Sequence, residues 1–386
     1  MTSALDTTLI LALFAVMALR PPMPRRSSPF NLQFALGWWI NEAPTLGLWW
    51  LMAGTMGTLL QPRSAPLWWL FAGFTAVDVL LLARIAIRAR SARPALSAAF
   101  RTVYGPDGLP RYTRTAWWRL VLPVVSWRPD VRRIRNVRYG PARRGNRLDV
   151  YVPRRHRRTG APVLVYFHGS FRMGNKMLGS RPLIYRLAAE GWVCVSVSRR
   201  LLRAGYPEQL ADARAALAWV HDNAEAYGGD PDAVFVAGGS AGANLAATAA
   251  LAGSEVRGVI GMYGYYGSVG YSGPGPTSLQ DCINPDAPPF LIVHGALDTL
   301  VLNQEARAFA DRLRAVSEQP VVYAELPGAN HNFDFFHSLR FHKVTDAIVR
   351  FTELTLEVGR AEPATRAATD AEPARPVEPR REERSR

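Results

Sequence analysis

The residue best placed for nucleophilic chemistry is the serine in Gly238-Gly239-Ser240-Ala241-Gly242. This run fits G-x-S-x-G, follows the apolar stretch Ala233–Ala237 and opens the alanine-rich stretch Ala241–Leu251. A strand that turns sharply into a helix through glycines exposes such a serine at the sheet's C-terminal edge, where the helix N-terminus adds a positive field. A serine hydroxyl is un-ionised at neutral pH, so it needs a base, and the base needs an acid to orient it. On folds with this turn the chain order is Ser, acid, His. After Ser240 come His294-Gly295-Ala296-Leu297-Asp298, closing an apolar run, and then Pro327-Gly328-Ala329-Asn330-His331. Asp298 and His331 both fall just past strand ends, at the sheet edge expected for Ser240. His294, His337 and His342 compete for the base, and Asp281, Asp286 and Asp334 for the acid. His294 ends a buried strand and reads as structural.

Positioning these groups requires a sheet. Strand patterns fall at Asn146–Val152, Pro162–Phe167, Trp192–Val197, Ala233–Ala237, Val256–Met262, Phe290–Val293 and Val321–Glu325. Helical spacing falls at Pro182–Glu190, Pro207–Asn223, Ala241–Leu251, Leu302–Ala315 and Ser338 to about Leu356. Continuous apolar strands alternating with amphipathic helices predict a mostly parallel sheet covered on both faces. The expectation is a doubly wound α/β domain over residues 129–358.

With these motifs in order, the segment from about Asp130 to Leu356 resembles an α/β-hydrolase. Within that superfamily it is similar to the hormone-sensitive-lipase-like bacterial carboxylesterases. The resemblance is carried by Phe167-His168-Gly169, Tyr206-Pro207-Glu208-Gln209-Leu210, Gly229-Asp230-Pro231, the serine turn, His294-Gly295-x-x-Asp298 and His331-x-Phe333. It implies an α/β-hydrolase fold, with Ser240 as nucleophile, His331 as base and Asp298 as the acid that orients it. It also implies an oxyanion hole in the loop after the second strand run. The donors there would be the backbone amides of Ser170 and Phe171, joined by that of Ala241. His168 reads as a loop brace. The expected activity is hydrolysis of carboxylic esters through an acyl-enzyme. An amide- or peptide-directed hydrolase and a degenerate membrane-surface binding protein are the alternatives, and no cofactor or metal is required. Three departures bear on substrate. The family's H-G-G-G reads His168-Gly169-Ser170-Phe171, the acid often found before the nucleophile is Gly239, and aspartate-tyrosine-arginine reads Ser198-Arg199-Arg200. The Tyr/Gly-rich loop from Tyr263 to Gln280 reads equally as a pocket rim or as a surface loop.

The first ninety residues differ in kind. Ala4–Leu19, Phe30–Leu60 and Pro66–Ile87 are apolar, and they hold six of the eleven tryptophans. A bilayer core of about 30 Å needs about 20 apolar residues, which the third stretch supplies and the other two approach. Residues 1–90 therefore read as a membrane anchor of two or three transmembrane helices, a multi-pass cell-membrane protein. Arg20, Arg25 and Arg26 in the first loop, and the arginines beyond residue 84, put the catalytic domain in the cytoplasm by the positive-inside rule. The net charge of +15 is local: Arg84–Arg158 holds 20 Arg and no Lys against Asp107, Asp130 and Asp149. Residues 91–128 interleave arginines with Trp117, Trp118 and Trp127, which next to a span reads as binding to anionic headgroups. No nucleic-acid-binding fold accompanies the charge. Tethering favours a lipid or other apolar ester as substrate. Cys194 and Cys282 cannot form a disulfide framework, no Cys/His cluster has zinc spacing, and residues 359–386 read as a disordered tail.

Overall fold

A computed structural model of the chain describes residues 2–23, 32–59, 65–142, 145–155, 159–170, 174–177, 179–201, 204–267 and 279–369. Its centre is an eight-stranded sheet: β1 (Val131–Arg138), β2 (Arg147–Pro153), β3 (Ala161–Phe167), β4 (Val193–Val197), β5 (Gly229–Gly239), β6 (Gly258–Met262), β7 (Phe290–Gly295) and β8 (Val321–Leu326). The spatial order is β1-β2-β4-β3-β5-β6-β7-β8. The β1–β2 and β2–β4 pairs are antiparallel and every later pair is parallel.

β4, β6 and β7 are buried at every residue, and β3 at all but Pro162, which explains their continuous apolar runs. One sheet face packs on α8 (Tyr206–Asn223), α9 (Ala241–Leu251) and α10 (Asn303–Val316). The other packs on α7 (Arg181–Ala189) and α11 (Leu339–Thr369). Two elements of this domain lie outside the sequence expectation. Strand β1 reads Val-Arg-Arg-Ile-Arg-Asn-Val-Arg, an edge strand whose outward positions are arginines. Helix α5 (Ala92–Tyr104) buries Ala92, Leu96 and Phe100 completely within the second core. The stretch expected to be a linker thus begins with a core helix, its arginines confined to the solvent side of a narrow four-residue stripe. At the other end, α11 runs past residue 358 to Thr369.

The N-terminal region contributes α1 (Thr2–Leu19), α2 (Leu32–Glu42), α3 (Pro44–Leu59) and α4 (Ala65–Arg88). A short helix, α6 (Trp117–Val121), follows α5. Leu11, Ala15, Ile40, Leu51, Leu82 and Ile85 form a separate small core between the first four helices. Among the described residues one continuous helical run, Trp68–Tyr104, holds an 18-residue stretch apolar enough to cross a membrane and mostly unburied, while its last part, α5, packs into the α/β core. The outer surface presents Leu13, Met52, Met56, Trp69 and Leu80 to the surroundings. Within the apolar stretch Phe30–Leu60 the described residues form two helices, α2 and α3, with the second starting at Pro44 as the interruption at Asn41, Glu42 and Pro44 leads one to expect. The break falls at Ala43, between the buried Asn41-Glu42 pair and Pro44, whose ring suits the first turn of α3.

This bundle is seated on the α/β domain. Arg340 on α11 donates two hydrogen bonds of 2.6 Å to the Glu42 carboxylate, with both side chains fully buried. Thr45 donates to the Leu120 carbonyl and Trp49 to that of Val121, tying α3 to α6.

Candidate active site

Ser240 caps the N-terminus of α9 directly after β5, with φ 54° and ψ −124°. A non-glycine residue at positive φ is strained and needs support from its surroundings. Here the Ser240 amide donates to the Met262 carbonyl at 3.0 Å, and its carbonyl accepts from the Ala243 amide at 3.1 Å. The flanking glycines are sterically obligatory. A Cβ on Gly242 would lie 2.1 Å from the Phe167 carbonyl oxygen, and one on Gly238 would lie 2.3 Å from the Gly242 backbone. The close approach presses the start of α9 against the end of β3, beside the loop that begins at His168.

Asp298 follows β7 and His331 follows β8, so both sit at the same strand ends as Ser240. His331 Nδ1 lies 2.7 Å from Asp298 Oδ2. The other carboxylate oxygen accepts the amides of Leu300 and Val301, each at 2.9 Å. Burial alone would raise the Asp298 pKa, but the charge and hydrogen bonds of His331 and His294 outweigh it and hold it below the usual carboxylate range. An ionised acid at Nδ1 fixes the imidazole tautomer and leaves Nε2 free to exchange a proton. Tyr263 links this pair to the serine turn. Its ring meets His331 edge-on with centroids 4.6 Å apart. Its hydroxyl lies so near Gly239 that a Cβ there would come within 2.2 Å of it.

The competing residues find other roles. His294 Nε2 lies 2.9 Å from the Val301 carbonyl and 3.3 Å from Asp298 Oδ2, the oxygen that His331 approaches more closely, and its side chain is fully buried. His337 and His342 lie ring to ring near Arg119 and Arg186. Asp281 and Asp286 are exposed. Asp334 is fully buried and accepts the hydroxyls of Tyr166 and Tyr263, while burial raises its pKa. Of the expected oxyanion donors, Ala241 is the first residue of α9 and Ser170 follows Gly169, where a Cβ would lie 3.3 Å from Ser240 Cβ. Phe171 lies outside the described residues, as do residues 268–278 of the Tyr/Gly-rich loop.

The sequence reading missed one contributor. Arg199, within one of the three departures from the family pattern, is almost fully buried and reaches under the loop after β3, where the oxyanion donors are expected. It donates to the Ser170 carbonyl at 2.7 Å, the His168 carbonyl at 3.0 Å and Gln209 Oε1 at 3.1 Å. Burial pushes its guanidinium down to about 10, still charged at neutral pH. His168 braces the same loop, Nδ1 lying 2.7 Å from the Gly169 carbonyl. Burial and the Arg199 charge push His168 down to about 3, so it stays neutral. The signal was in the sequence as Ser-Arg-Arg, but only tertiary contact shows which carbonyls the arginine serves. Among the described residues no His/Cys/Asp/Glu group could hold a metal ion.

The sheet order, the serine turn and the Asp–His pair define an α/β-hydrolase, and comparison with known proteins agrees. The BD-FAE family model matches residues 148–267. The probable carboxylic ester hydrolase LipM of Mycobacterium tuberculosis is 33% identical over 340 residues, covering 72% of this chain and 76% of the relative. Esterase LipC of the same organism is 32% identical over 301 residues, covering 66% and 73% respectively. The chain belongs to this family of α/β-hydrolase carboxylic ester hydrolases, and it is a carboxylesterase-like enzyme. Esterase B from Lactobacillus rhamnosus shares the fold at TM-score 0.54 and 20% identity, over 61% of this chain and 89% of that one.

Proposed function

We propose that the chain is a membrane-tethered serine carboxylesterase whose chemistry runs through Ser240, His331 and Asp298. The observation that carries this reading is the 2.7 Å His331–Asp298 contact at the strand ends that also present the strained Ser240. In the first half-reaction the Ser240 hydroxyl attacks the ester carbonyl while His331 Nε2 takes its proton. Asp298 stabilises the imidazolium that forms. The developing oxyanion is met by backbone amides at Ser170, Phe171 and Ala241, the last at the positive end of α9. His331 then returns the proton to the leaving alcohol, and water resolves the acyl-enzyme by the same route.

Tethering is supported by the long apolar helix Trp68–Tyr104 and by the exposed apolar faces around it. Trp117 and Trp127, both exposed, extend this surface beside arginines suited to anionic headgroups. By the positive-inside rule, the arginine distribution supports a catalytic domain on the cytoplasmic side. A substrate at that surface would be a lipid or another apolar ester.

The test is hydrolysis of chromogenic esters of increasing acyl length by membranes carrying wild type or Ser240→Ala. The expected result is activity lost in the variant by a factor on the order of 10³ or more, with an optimum toward longer chains. Activity confined to short, water-soluble esters would remove the lipid reading while leaving the esterase. Equal rates for wild type and variant would remove both.

A further inference from the structure

The N-terminal region does more than lie beside the catalytic domain: it touches the loop that holds His331 from end to end. At the start of that loop, Ser91 donates to the Pro327 carbonyl at 3.2 Å. The Gly328 carbonyl accepts from Asn41 Nδ2 and from Arg340 Nη2, each at 3.0 Å. Gly328 has φ 70°, and a Cβ there would lie 2.3 Å from Arg88 Nε, so the chain passes directly under that arginine. Arg88 in turn ties Asn41 Oδ1 to the last carbonyls of α1, Ala18 and Leu19. In the middle of the loop the Phe34 ring stands edge-on to His331, centroids 5.7 Å apart. Further on, Trp38 stacks on Phe336 and meets Phe335 edge-on.

At the centre of these contacts is an ion pair, Glu42–Arg340, between residues 298 positions apart and both 0% exposed. A buried pair contributes little net stability, because desolvation offsets the attraction, whereas breaking one is costly. What such a pair fixes is geometry. Here it joins the end of α2 to the beginning of α11, with Gly328 held between.

We propose that α2 is a positioning element for the catalytic histidine. Asn41 and Glu42 latch it to the loop, and Phe34 sets the imidazole plane, so the His331 loop holds its working geometry only while the helical region is seated. This rests on the serine-esterase reading above. Small displacements matter here, since an error of about 1 Å in a catalytic group costs on the order of 10²-fold in rate.

The experiment uses the full chain in detergent micelles, with Phe34→Ala, Phe34→Tyr and Glu42→Gln beside wild type and Ser240→Ala. A fluorophosphonate probe reports both the rate constant and the final extent of serine labelling, and a short-chain ester reports kcat and KM. Phe34→Ala and Glu42→Gln should label to full extent but roughly 10- to 100-fold more slowly. Their kcat should fall by a similar factor, with KM within about threefold of wild type. Phe34→Tyr, which keeps a ring edge on the imidazole, should restore most of the rate. Wild-type rate constants with only the labelled fraction reduced would mean that α2 merely stabilises the fold, and would overturn the proposal. Wild-type rate and extent together would also overturn it. If Glu42→Gln does not fold, the half-buried Phe34 position carries the test alone. A wild type as inert as Ser240→Ala would bring down the esterase reading, and this proposal with it.

Discussion

At the scale of the residue, Arg199 is a buried cation held beneath the loop that follows β3, where the proposed mechanism would let it act on a reaction it does not touch. Its guanidinium is planar with donors on several edges, and it spends them on neutral acceptors: the His168 and Ser170 carbonyls of the loop after β3, and a glutamine. A carboxylate partner would cancel its field, whereas carbonyls leave a positive charge beneath the place where the proposed mechanism puts the oxyanion. Replacing Arg199 with methionine would leave the Ser170 and His168 carbonyls without this donor and let the loop relax. Interactions realised mainly in the transition state appear in kcat rather than in KM. Arg199→Met should therefore lower kcat by roughly 10- to 100-fold, with little change in KM for a short ester. Arg199→Lys should recover only part of this, because a point-charge ammonium cannot span both carbonyls as the guanidinium fork does. A rise in KM alone would assign the arginine to pocket shape instead.

At the scale of the element, the turn from β5 into α9 was legible because its constraints are local. Glycines at fixed offsets, an apolar strand before and an alanine-rich helix after are all contained in fourteen residues or so of sequence. The parallel strands were legible for a similar reason: burial on both faces leaves no polar alternation, and the runs come out nearly at their observed bounds. β1 escaped because half of its residues are arginines, and α5 because it lies within an arginine-rich stretch next to the apolar helices; only the burial of Ala92, Leu96 and Phe100 reveals that helix as core. The seating of α2 on the His331 loop was not legible at all, since it joins groups almost three hundred positions apart and no local pattern encodes it. Gly239 belongs to the same class. In sequence it is a missing acid, while in the fold it is the space that Tyr263 fills. Restoring the acid with Gly239→Asp should displace Tyr263 from His331 and cost about 1–3 kcal/mol through overpacking. Gly239→Asp combined with Tyr263→Ala should cost less than the sum of the two single changes, as expected for a pair in steric contact. Denaturant unfolding of the four proteins in this cycle measures the coupling, and strict additivity would show that the tyrosine does not occupy that space.

At the scale of the whole molecule, buried histidines set a dependence on pH. Burial, reinforced by Arg199, holds His168 at about 3. Burial, Arg119 and His342 hold His337 at about 3, and burial with Arg186 holds His342 at about 4. In the unfolded chain each returns to about 6.5. Between roughly pH 4 and 6.5 the unfolded state therefore binds protons that the folded state refuses, and stability must fall as pH falls through that window. Asp334 works in the opposite direction. Its pKa is raised by burial, so the folded state holds a proton that the unfolded state loses above about 4, and this lessens the slope set by the three histidines. Asp298, held below its usual range, adds a loss only at lower pH still. The three histidines alone account for about three protons, and at about 1.4 kcal/mol per group per pH unit they set a slope of about 4 kcal/mol per pH unit near pH 5, which Asp334 reduces. Unfolding free energies of the detergent-solubilised protein from pH 7.5 to 4.5 measure this slope directly. His342→Gln should flatten it by about one proton, because a group that cannot titrate binds none in either state. An unchanged slope in that variant would mean that His342 titrates in the folded protein much as it does in the unfolded chain.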